Sequence, residues 1–183
     1  MWRKALVFVL QFVPIFAICL WLFPRTLPVY QEIVVRGANL GLRQLDPPMR
    51  MEVTDDGGWR AFVIQPDGSE TSYWYRPGTY LVLVYLGLPL LPALLLATPL
   101  RLTERLRRLG IGMVLQLGMH MLAGFVLVWT VRCLASTPDS ILCRILKSVV
   151  NDYGQFLTIA LWALLTWNVW LPGAERDGVR DAT

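Results

Sequence analysis

His120 and Gln116 stand four residues apart within an apolar run, so a helix places both on one face. A titratable ring in the middle of such a run could relay protons or serve as a buried base. It could equally hydrogen-bond to Gln116, to Gln11 in the first apolar run, or to a backbone carbonyl of a neighbouring helix. The apolar runs hold no carboxylate to drive a relay, which favours the hydrogen-bonding role. Arg132-Cys133 forms a second pair, in which a guanidinium beside a thiol could lower its pKa and make it a nucleophile. Adjacent residues on a helix point about 100° apart, however. The competing reading has Arg132 cap a helix end while Cys133 bonds Cys143 across a short loop in an oxidising compartment. The catalytic candidates are therefore confined to Cys133, Arg132 and His120, and no catalytic role is assigned to them. Cys19 is the third cysteine; with no C-x-x-C pair anywhere, the spacing points to no metal site and no cofactor.

These residues need elements to hold them, and the hydropathy supplies the elements. The 183 residues are 55% hydrophobic and 16% charged, with mean hydropathy +0.49, too apolar for an ordinary soluble domain of this length. Runs at 5–23, 80–100, 111–131 and 153–171 contain no Asp, Glu, Lys or Arg, and each is long enough to cross about 30 Å of hydrocarbon as a helix. The first follows Arg3 and Lys4, as a signal peptide would, but it exceeds a usual signal core and Phe23-Pro-Arg-Thr-Leu27 lacks a small-residue cleavage pattern. A retained helix is the expectation. The fold expected is a membrane all-α bundle of four transmembrane helices with a small extracytoplasmic α+β insertion. Its parts are helix 1 (1–23), the insertion (24–79), helix 2 (80–100), a basic connector (101–110), helix 3 (111–131), an outer loop (132–152), helix 4 (153–171) and a tail (172–183).

Within the insertion, 29–45 carries Tyr30, Val34, Ala38 and Leu45 on one helical face, an amphipathic helix suited to the membrane–water interface or to packing on the outer subdomain. Past Pro47-Pro48 the period changes to two: Met49, Met51 and Val53 alternate with Arg50, Glu52 and Thr54. Asp55-Asp56-Gly57-Gly58 and Pro66-Asp67-Gly68 close turns, giving a three-stranded antiparallel meander over 49–76. Trp74, Tyr75 and Tyr80 follow as an interfacial aromatic belt.

The net charge of +4 does not mark a nucleic-acid partner, because the basic residues flank apolar runs. Arg3, Lys4, Arg101, Arg105, Arg107, Arg108, Arg176 and Arg180 crowd the short segments between and beyond the runs, which places those segments and both termini in the cytoplasm. Membrane lipid is the one partner this patterning implies. A quinone-dependent disulfide oxidase of the four-helix type would need a second redox pair in the first outer loop, and 24–79 contains no cysteine.

Several features taken together resemble one known family. They are the first helix with its amphipathic continuation, the meander over 49–76, the run Tyr85-Leu-Gly-Leu-Pro-Leu-Leu-Pro-Ala-Leu-Leu-Leu-Ala-Thr-Pro99, the basic Arg105-Leu-Arg-Arg108, and Gln116 in the next helix. In that order they resemble the exosortase H-associated membrane proteins of Gram-negative bacteria. The resemblance implies a multi-pass inner-membrane protein with a non-enzymatic accessory role in sorting proteins that carry a C-terminal anchor, its partner an exosortase or the anchored substrates. Exosortases themselves look like membrane cysteine transpeptidases whose Cys, Arg and His follow in that order. Here His120 precedes Arg132 and Cys133, so the alternative of a thiol-dependent peptidase transfers no catalytic residue.

Overall fold

Apolar residues and good helix formers carry the first helix, α1, from Trp2 to Leu42, straight through Pro14, Pro24 and Pro28. Each proline removes one backbone hydrogen bond. In hydrocarbon the freed backbone has no water to turn to, so a continuous helix still satisfies most of its polar groups. The Thr26 hydroxyl donates to the carbonyls of Leu22 and Phe23 at 3.4 and 3.2 Å, close to the proline-interrupted turns. The amphipathic segment expected as a separate helix is thus the second half of α1. Its buried residues Val34, Val35, Ala38 and Leu42 hold the helical spacing, whereas Leu6, Leu10, Val13, Ile18 and Trp21 in the first half are exposed.

The computed structural model describes residues 2–55, 58–64, 67–75, 85–137 and 139–170. The expected tail 172–183, the start of the expected second run with Tyr80, and turn residues 56–57 and 65–66 lie outside them, as do the side chains of Trp74 and Tyr75. After α1 come β1 (Met49–Val53), β2 (Trp59–Ile64) and β3 (Glu70–Tyr75), then α2 (Gly87–Ala97), α3 (Leu102–Ser136) and α4 (Ile141–Trp170).

The strands form an antiparallel sheet in the order β1-β2-β3, with Met51 opposite Ala61 and Ala61 opposite Tyr73. Alternation sends Met49, Met51, Trp59, Ala61 and Val63 into a core shared with the second half of α1 and with Leu127 and Val128 of α3. Arg50, Glu52, Arg60 and Phe62 take the other face, where the Arg50 guanidinium covers the Phe62 ring at 4.7 Å. Asn39 of α1 closes the free edge of β1: its Nδ2 donates to the Met51 carbonyl at 2.8 Å, and the Met51 amide donates to its Oδ1 at 2.7 Å. In the second turn Gly68 has φ +81°, and Asp67 accepts bonds from the Ser69 hydroxyl and amide, which hold its carboxyl below the usual range.

The helices depart from the expected four transmembrane spans. Among the described residues two helices are long and apolar enough to cross a membrane, Lys4–Leu42 and Leu102–Thr130, while the apolar stretches Gly87–Ala97 and Phe156–Trp170 are too short by that measure. The bundle of four spans is therefore not the observed fold; the small antiparallel sheet is present. At its C-terminal end α2 stops three residues inside the expected run, because Thr98, preceding Pro99, takes extended backbone (ψ 132°); the 11 residues Gly87–Ala97 rise about 16 Å.

The basic run also behaves differently from a connector, since α3 already begins at Leu102. Arg105 donates to the carbonyls of Leu96 and Leu100, both at 2.8 Å, satisfying the C-terminal end of α2. Arg108 pairs with Glu104 at 2.8 Å and reaches across to the Leu165 carbonyl and to Asn168 Oδ1 (3.0 Å) of α4. Close approach elsewhere depends on glycine. A side chain at Gly37 or Gly41 of α1 would run into Met121 or Phe125 of α3.

Candidate functional site

His120 is buried on the inner face of α3, 6% exposed. Its Nδ1 meets the Tyr30 hydroxyl of α1 at 2.8 Å, a bond in which either group can be the donor according to the imidazole tautomer. Tyr85, just ahead of α2, lies edge-on to both rings, 5.7 Å from His120 and 6.1 Å from Tyr30 between centroids. Trp59 of β2 is edge-on to Tyr85 at 5.8 Å. Four segments of the fold thus converge on one aromatic cluster.

Gln116 shares the face of His120 and is 1% exposed, but the two residues do not use each other. Its amide lies against Gly87 and Thr158, where a Cβ on Gly87 would come within 2.7 Å of Nε2. Neither Gln116 side-chain atom has a hydrogen-bond partner among the described residues, and the same holds for the Tyr85 hydroxyl and the Trp59 indole nitrogen. Gln11 is distant: along α1 it lies roughly 28 Å of helical rise from Tyr30. It does not join the cluster.

Cys133 and Cys143 are bonded to each other, with Cα atoms 6.2 Å apart, so Cys133 carries no thiolate. Arg132 turns away from the sulfur and donates to the backbone carbonyls of Asp46 and Pro47, fixing the chain where it enters β1. The arginine and cysteine are neighbours in sequence with separate partners. Cys19 is a free thiol, half-buried on α1. Among the described residues no group of three or more His, Cys, Asp or Glu side chains could hold a metal ion.

A groove of about 470 Å³ runs between α1 and α2, with Met113 of α3 at its back; Cys19, Arg25, Tyr30, Ile33, Leu88 and Pro92 are among its walls. Tyr30 joins the groove to His120.

Sequence reading singled out His120 without finding its partner. Tyr30 was visible only as one position on an amphipathic face, and the pair is separated by 90 residues. The spacing Gly37-x-x-x-Gly41 was a signal that could have brought α1 against α3 in advance. Compared with known proteins, the chain matches no family model, no curated protein and no solved structure.

Proposed function

We propose that the protein is a membrane-anchored, non-enzymatic partner subunit of an exosortase-type envelope sorting system, acting through the outward face of its sheet. The observation that carries the reading is how the chemically capable side chains are employed. Cys133 is in a disulfide, Arg132 holds backbone carbonyls, and His120 is tied to Tyr30. The sheet face turned away from the core carries Arg50, Glu52, Arg60 and Glu70, with Arg50 bonded to Glu70 at 3.1 Å over Phe62, and is the face we propose meets a partner. The sorting system itself rests on the resemblance of the sequence.

The setting we propose is the bacterial inner membrane, with both termini cytoplasmic. Two features of charge and redox chemistry support it. Arg105, Arg107 and Arg108 gather at the end of the molecule where α3 meets the last turns of α4, and a disulfide is maintained at the opposite end of α3.

Cross-linking in native membranes followed by isolation of the chain tests the function. The expected result is an exosortase-class protein recovered with the wild type and reduced at least several-fold with Arg60→Glu combined with Glu52→Arg. Recovery of the wild-type chain without an exosortase or its anchored substrate would contradict the proposal.

A further inference from the structure

Arg25 is placed where an acidic headgroup would reach it. At about 1.5 Å per residue, the rise from Lys4 to Arg25 is roughly 31 Å, the thickness of a hydrocarbon core. The two cations thus bracket the exposed apolar half of α1. Trp21 lies one turn below, with the Arg25 guanidinium 4.2 Å from its ring centroid, a pairing suited to the headgroup level. No carboxylate pairs with Arg25 among the described residues, and Glu32, two turns on, is engaged by Arg36 at 2.5 Å.

Arg25 is also the charged member of the groove wall. The rest of that wall is almost wholly apolar, from Leu22 and Phe23 on α1 to Leu88 and Pro92 on α2, with the Thr26 hydroxyl already turned back onto its own helix. The groove is open along one side and flanked by Val29 and Ile33, which are 62% and 43% exposed. A slot that is apolar along its length, cationic at one point and open laterally matches a chain with an anionic head.

We infer that the groove between α1 and α2 is a binding site for one anionic phospholipid, its acyl chain along Leu22, Phe23, Leu88 and Pro92 and its phosphate at Arg25. The site rests on α1 crossing a membrane and is independent of any protein partner. A neutral phospholipid fills the slot equally well but gains nothing from Arg25, and that difference makes the site testable.

The full chain is reconstituted in nanodiscs of equimolar phosphatidylglycerol and phosphatidylcholine, released, and weighed by native mass spectrometry. The wild type is expected to retain one phosphatidylglycerol over phosphatidylcholine by about fivefold, the ratio given by one basic side chain at a lipid surface. Arg25→Lys should keep that ratio and Arg25→Gln should bring it to parity, while Val29→Trp, which fills the groove from its exposed rim, should lose retention of both lipids. Circular dichroism confirms that each variant is folded. Equal retention by the wild type, or an unchanged ratio in Arg25→Gln, overturns the site. Release of the wild type from membranes by alkaline carbonate would remove the site and the membrane reading together, whereas lipid parity in a carbonate-resistant protein removes the site alone.

Discussion

His120 is buried and bonded to a tyrosine, and its surroundings bear on what that bond does. The rings around it come from α1, β2 and the segment leading into α2. A hydrogen bond that spans two helices stabilises by about 1 kcal/mol, and leaving one partner unsatisfied costs about 1–3 kcal/mol. Tyr30→Phe and His120→Leu should each destabilise on that scale, with a double-mutant coupling of about 1 kcal/mol in thermal or denaturant unfolding in detergent. His120→Gln keeps a donor and an acceptor and should preserve both abundance and partner recovery. If that variant is present at normal abundance yet fails in partner recovery, His120 has a proton-dependent role and the tether is the wrong description. The burial of His120 was legible from its place in an apolar run. Its bond to Tyr30 was not, because spacing reveals neighbours on one helix and this contact joins two.

The meander was the most legible element, since alternation from Met49 to Val53 and the Asp-Gly turns act over a few residues and need no tertiary information. The helix ends were less so. The segment 29–45 was expected as a helix separate from 5–23, yet α1 runs on through Pro24 and Pro28, and burial of Val34, Ala38 and Leu42 against the sheet and α3 holds its second half in line. In the other direction, an apolar run at 80–100 suggested a full span, whereas the helix described within it is Gly87–Ala97, stopped by Thr98-Pro99 and with Arg105 bonded to the Leu96 carbonyl. Composition measures how apolar a stretch is and says little about where its backbone bonds stop. Glycine gives a direct check on the packing. Gly87→Ala should cost about 1–3 kcal/mol by overpacking against Thr158 and Gln116. Gly110→Ala, in α3 with open space around it, should be neutral or stabilise by roughly 0.5–1 kcal/mol. Equal unfolding midpoints for the two variants would mean that α2 is not packed as described.

For the molecule as a whole, the proposed orientation sets the sheet and the disulfide on one side of a membrane and Arg105–Arg108 on the other, which requires the chain to return across the membrane between β3 and α3 although Gly87–Ala97 is shorter than a full span. The apolar class was evident from composition, and the number of spans was not, since two of the four apolar runs form helices or apolar stretches too short to cross. The direct measurement is labelling of single introduced cysteines in intact cells with a membrane-impermeant thiol reagent. A Cys19→Ser background removes the one free thiol and leaves the Cys133–Cys143 disulfide unreactive. Asp67→Cys, at the exposed turn before β3, should label, while Thr103→Cys, at the exposed start of α3, should label only after the cells are opened. Labelling of Thr103→Cys in intact cells, or protection of Asp67→Cys, would contradict the orientation.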